Sequence, residues 1–132
     1  MTFDRLSDSR MEEAILNYIK AYNAKDVPAM LALLDDQILF ENVSNSSGTT
    51  VTTTKEEFET IARQSLSYFS ERKQIIRFSV LSEESAAVEI DYQATLAQDL
   101  PNGLKAGQQV QLRGVSLFER RNGKFVRISD YS

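Results

Sequence analysis

The 132-residue sequence contains neither cysteine nor histidine. Without cysteine there is no disulfide, no thiolate nucleophile and no thiolate metal site, and no redox compartment is indicated. Without histidine, Ser-His-Asp and Cys-His catalysis are excluded as usually built, and so are histidine-held zinc centres. Any proton transfer then runs through carboxylates, tyrosine, lysine or water. No cofactor and no metal is expected. Basic charge is not in excess either. The formal net charge is -4 and the pI about 4.9, which weighs against a chain that tracks phosphates. The basic pairs Arg72-Lys73 and Arg120-Arg121 read as solvated turn ends. No apolar run is long enough to cross a bilayer. Residues 1–10, with Asp4, Arg5, Asp8 and Arg10, do not read as a secretion signal. A cytoplasmic protein with no nucleic-acid and no membrane partner is expected. Asn42-Val43-Ser44 and Asn45-Ser46-Ser47 match glycosylation sequons, and without a secretion signal both read as chance.

What the chain does have is enough apolar residue for a core: 42% hydrophobic against 26% charged, in a length suited to one domain over residues 1–132. Ser9 and Glu12 stand at capping-box spacing. After them Met11, Ala14, Ile15, Tyr18, Ile19 and Tyr22 recur at helical spacing, which predicts an amphipathic helix over 9–24. Asp26 offers a second N-cap with Pro28 in the first turn. Met30, Leu31, Leu33 and Leu34 then predict a short helix ending near Asp35-Asp36. Residues 38–43 read as a strand, 44–50 as a polar loop, and Val51 as the site of a further short strand. The loop has no phosphate-cradling glycine pattern. Thr54 and Glu57 repeat the capping box. The stripe of Phe58, Ile61, Ala62, Ser65, Leu66 and Phe69 predicts a third helix over 55–70.

From Gln74 the period becomes two. Ile76, Phe78 and Val80 alternate with polar residues, as do Val88, Ile90 and Tyr92 after a tight turn at 82–85. Residues 99–107 read as a longer hairpin loop. Val110, Leu112, Val115 and Leu117 make the next strand, with a bend or bulge expected at Gly114. Asn122-Gly123 signals a two-residue type I′ turn into a last strand over 124–131. Helices first and a meander afterwards imply helices laid on one face of an antiparallel sheet. A long sheet covered on one face curls, and the curl leaves a conical cavity.

This order, with Tyr18 to Asp26 closing the first helix, Leu33-Leu34-Asp35-Asp36 entering strand one and Asn122-Gly123-Lys124-Phe125 in the last hairpin, resembles the NTF2-like superfamily in its SnoaL-like and ketosteroid-isomerase-like branches. The resemblance implies a cone-shaped curved antiparallel β-sheet wrapped around three helices, an α+β roll of the NTF2-like or cystatin-like kind. It also implies a homodimer formed through the sheet.

The isomerase branch places a tyrosine on the first helix, a carboxylate base near the end of strand one and a second acid on a later strand. Tyr18 falls on the helix position. The base position falls on Asn42, which cannot accept and return a proton at neutral pH, and 109–118 offers no carboxylate. Glu41 adjoins Asn42, but one step along a strand points to the opposite face. The epoxide hydrolase branch sets an Asp-Arg-Asp group around a water, for which Glu89, Asp91, Arg113, Arg127 and Asp130 are available. The alternation of Glu89 and Asp91 with apolar neighbours reads instead as an outward row. Arg113 and Arg127 either bind an anionic ligand or pair with Glu89 and Asp91. The candidate site is therefore Tyr18 and Asn42 as catalytic residues, with Phe40, Phe58, Tyr92 and Arg113 binding a small hydrophobic molecule. If the chain is an enzyme, the expected chemistry is proton transfer or addition and elimination of water, of the isomerase, cyclase or hydratase kind. The alternative is a non-catalytic interaction or dimerisation module.

Overall fold

The structure, a computed structural model, describes residues 2–45 and 48–132, with side chains from Arg10 onward. The second sequon, Asn45-Ser46-Ser47, ends outside the described residues. Three helices and six strands follow in the order α1 (Thr2–Asn23), α2 (Val27–Leu31), β1 (Leu34–Ser44), β2 (Gly48–Thr52), α3 (Lys55–Ser65), β3 (Phe69–Leu81), β4 (Ser85–Leu96), β5 (Gln109–Arg121) and β6 (Lys124–Tyr131). The expected α+β architecture, helices on a curved and unclosed sheet, is present.

Helix α1 runs through Ser9 without a break, so the Ser9–Glu12 spacing does not start it. Its stripe is buried as the periodicity requires: Met11, Ile15, Tyr18 and Ile19 are all in the core. Asp26 caps α2 by accepting a hydrogen bond from Ala29 N at 3.1 Å. That helix stops at Leu31, short of the predicted end, because the last strand claims the next backbone: Phe125 N donates to Leu33 O at 2.9 Å. Thr54 caps α3, its Oγ1 accepting from Glu57 N at 3.2 Å, while the Glu57 carboxylate reaches back one residue further, accepting from Thr53 N at 2.9 Å. This helix ends at Ser65, not near residue 70. The chain from Phe69 onward pairs instead with the far end of β4, Phe69 opposite Leu96 and Lys73 opposite Gln93. Strand β3 thus begins five residues before Gln74, since the sheet offers these backbone groups more partners than a helix end does.

The strand order is β2-β1-β6-β5-β4-β3. The sheet is mixed, which corrects the expectation of a wholly antiparallel one: β1 and β6 pair in parallel and every other pair is antiparallel. β1 and β6 are joined by α3 and the whole β3–β5 meander, a crossover long enough to bring β6 back in the same direction. The last hairpin turns at Asn122 and Gly123, with φ of 51° and 80°, as the type I′ turn demands.

Gly114 lies in unbroken register between Ile90 and the end of β6, so it marks no bulge. It marks close approach: a Cβ there would overlap the carbonyl oxygen of Tyr131. Strand β3 has two irregular steps, one between Phe69 and Glu71 and one between Ile76 and Phe78. The second turns Phe78 and Val80 to the outer face, where they are 64% and 59% exposed. They do not join Ile76 on the inner face, where strict alternation would put them. The centre of the core is aromatic, with Tyr18 edge-on to Phe118 at 6.0 Å and to Phe125 at 6.1 Å. Complete burial of each phenylalanine is worth about 1.5–3 kcal/mol.

Candidate functional site

The concave face of the sheet and the three helices bound a cavity of about 480 Å³. Its walls are mainly apolar, and two polar groupings stand in them. The first is a row across the sheet. Thr50 on β2 is in register with Asn42 on β1, Asn42 with Asp130 on β6, and Asp130 with Ser116 on β5. Register partners present side chains to the same face, and all four line the cavity. Ser116 Oγ donates to Asp130 Oδ1 at 2.6 Å. Burial pushes the Asp130 carboxyl up to about 6, against the bond from Ser116, which favours the charged form. A carboxyl so placed both holds and releases a proton near neutral pH.

The second grouping is aromatic. Tyr92 lies edge-on to Tyr22 and to Phe69, at 6.4 and 6.3 Å between ring centroids. The guanidinium carbon of Arg72 sits 3.9 Å from the centroid of the Tyr22 ring. Tyr18 lies between the two groupings, and its phenol responds to the charges of both Asp130 and Arg72. Burial holds the Tyr18 phenol well above its usual value, and Asp130 adds to this. Burial likewise raises Tyr22 and Tyr92. All three hydroxyls therefore stay protonated at neutral pH and can donate hydrogen bonds.

Five of the six residues singled out in the sequence, Tyr18, Phe40, Asn42, Phe58 and Tyr92, line this one cavity. Phe40 and Phe58 meet edge-on at 5.1 Å and close its side next to α3. Arg113 is elsewhere. It points away from the cavity and its Nε lies 3.4 Å from Asp91 Oδ1, a carboxylate that Arg77 also approaches at 3.3 Å. Glu41 also lies on the outer face, accepting from Ser129 Oγ at 2.7 Å and pairing with Arg127 at 3.8 Å. Among the described residues no group of acidic side chains could hold a metal ion. No described helix is long and apolar enough to cross a membrane.

The two charged residues of the cavity, Asp130 and Arg72, are not among the site candidates read from the sequence. Asp130 entered only as one member of a set drawn from both sheet faces. Its signal was its position two residues after the core residue Ile128, which puts both on the same face of β6. Arg72, a solvated turn end by its sequence, is 6% exposed and lies inside β3. Extending the alternation of Ile76 back through Gln74 would have found it. The helix expected to reach residue 70 left no strand there to extend.

The model of the SnoaL-like domain matches residues 15–128. Similar folds occur at low identity in many solved structures, three of which illustrate the likeness. A candidate polyketide cyclase of Xanthomonas campestris pv. campestris is 19% identical over 96% of this chain and 92% of its own, with a TM-score of 0.79. An epoxide hydrolase of M. tuberculosis, described as LEH-like, is 16% identical over 94% and 83%, with a TM-score of 0.75. A Catenulispora acidiphila protein with a ketosteroid isomerase-like fold is 13% identical over 91% and 85%, with a TM-score of 0.74. No functionally curated protein matches the chain.

Proposed function

Because the chain belongs to the SnoaL-like domain family, within the NTF2-like superfamily, we propose that it acts as one such unit, takes a small and largely apolar molecule into its cavity, and exchanges a proton with it through Asp130. The observation that carries this reading is a carboxyl pushed up to about 6 in the wall of an apolar cavity. An acid displaced toward neutrality by its surroundings is suited to general acid–base work. The reaction class is proton transfer, or addition and elimination of water, next to a carbonyl, as in an isomerase, cyclase or hydratase. Asp130 is the base and then the acid. Tyr18 and Asn42 donate hydrogen bonds to a ligand oxygen, and Phe40, Phe58 and Tyr92 hold the apolar body. Arg113, on the outer face, has no part.

The test is thermal-shift screening against aromatic polyketides, steroids and fatty acids, followed by turnover assays on whatever stabilises the fold. Asp130→Asn is expected to keep the binding and lose at least about 100-fold in turnover. A flat response across the panel contradicts the reading, and so does undiminished turnover in the variant.

A second reading rests on a separate surface. Phe78 and Val80 stand exposed on the outer face of the sheet, and covering them against a second copy would make a two-fold dimer. Light scattering should give twice the chain mass for the wild type, with Phe78→Glu shifting it toward monomer. A monomeric wild type at micromolar concentration removes this reading. A cytoplasmic location fits either one.

A further inference from the structure

Arg72 is the only charged residue fully buried among the described residues. Among those residues no carboxylate forms an ion pair with it. Its Nη1 donates to Ser65 Oγ at 3.1 Å, and its face lies on Tyr22. Among the described residues its Nε and Nη2 have no hydrogen-bond partner, and both are closed to water. A buried charge left without a counter-ion is costly, and an arginine kept for the fold would turn this edge to an acid or to backbone carbonyls.

The unused edge has a particular chemistry. Nε–H and the neighbouring Nη2–H point the same way, and together they form the side of the guanidinium fork that grips a carboxylate with two parallel hydrogen bonds. The cavity's other charged side chain, Asp130, does not neutralise it. Arg72 is in register through Ala94 with Val110, whereas Asp130 is in register with Ser116, six residues further along β5. The two charges stand at different parts of one apolar space.

We propose that the molecule bound in the cavity carries a carboxylate, that Arg72 is its counter-ion, and that this anchoring presents the far end of the molecule to the row of Asn42, Asp130 and Ser116. The proposal rests on the cavity's being a small-molecule site and names the class of molecule. Arg72 lines the cavity, so a carboxylate bound there lies within reach of its free edge. Arg72 is here a specificity residue, remote from the reacting atoms.

Calorimetric titration with 2-naphthoate and its uncharged counterpart 2-naphthamide tests this in the whole chain. The acid should bind the wild type about tenfold or more tightly than the amide. Arg72→Gln should bind both compounds equally, with the amide's affinity unchanged. Equal affinities in the wild type, or a preference that survives in Arg72→Gln, overturn the proposal and leave the small-molecule reading standing. If neither compound binds at millimolar concentration, the small-molecule reading itself falls and this proposal falls with it. Arg72→Met provides a measurement independent of ligand. A melting temperature that holds or rises supports a functional charge, whereas a fall of about 10 °C or more marks Arg72 as part of the fold and overturns the proposal.

Discussion

Asn42 and Asp130 are register partners across the parallel β1–β6 pair, so the amide on strand one and the carboxyl on the last strand look into the cavity side by side. The strand-one position read in the sequence as lacking a base therefore has an acid as its immediate neighbour in space.

Stability should depend on pH through Asp130. Its carboxyl is raised to about 6 in the folded chain, above the value of about 3.9 expected when unfolded. The folded state thus binds this proton more tightly. The resulting stabilisation is fully present below about pH 4 and is lost as pH rises through about 6. Its size is at most about 3 kcal/mol and less in practice, because Asp130 is only half-buried. Asp130→Asn should flatten the profile in that window and be more stable than the wild type at pH 7. Urea unfolding across pH 4–7 measures both effects. A wild type that gains stability over this range, with no difference in the variant, would contradict the assignment.

Ser116 donates to Asp130 and favours its charged form. Ser116→Ala should therefore move the Asp130 midpoint further up, and carboxyl-carbon NMR reads this directly. An unchanged or lower midpoint would mean that the hydrogen bond does not form in solution.

Tyr18→Phe keeps the ring that packs against Phe118 and Phe125 and removes only the donor. Thermal stability should change by less than about 1 kcal/mol, while turnover falls about 10- to 1000-fold if the hydroxyl faces a developing negative charge. Phe118→Ala, by contrast, should cost about 3–5 kcal/mol in chemical unfolding. A stability loss in Tyr18→Phe as large as that in Phe118→Ala would assign Tyr18 to the core alone.

Gly114→Ala should destabilise by about 1–3 kcal/mol, because the added methyl meets the Tyr131 carbonyl oxygen. Denaturant midpoints check this. A neutral substitution would mean that β5 and β6 are further apart at this end than described.

Much of the fold was legible where local pattern and tertiary packing agree. The stripe from Met11 to Tyr22 is a helix stripe by spacing and is buried as one. Asn122-Gly123 can adopt positive φ at both positions and does so. Legibility failed where a distant partner decided the local state. Residues 69–70 read as the end of a helix and Arg72-Lys73 as a turn end on their own pattern, and the whole stretch is strand because β4 reaches it. Phe78 and Val80 changed face because of one irregular step in β3. The parallel β1–β6 pairing joins segments some eighty residues apart and leaves no local mark. The candidate site shows the same division. The aromatic and amide residues were visible from their places on single elements. Asp130 and Arg72 carry weaker signals on their own strands: the helix expected up to residue 70 hides the one at Arg72, and only the pairing of β1 with β6 sets Asp130 beside Asn42.

The proposed chemistry depends on the state of one carboxyl, which carbon-13 NMR titration reads at the group itself. The expected midpoint for Asp130 is about 6. A midpoint in the ordinary aspartate range, near 4, would place this group in water and remove the acid–base role assigned to it.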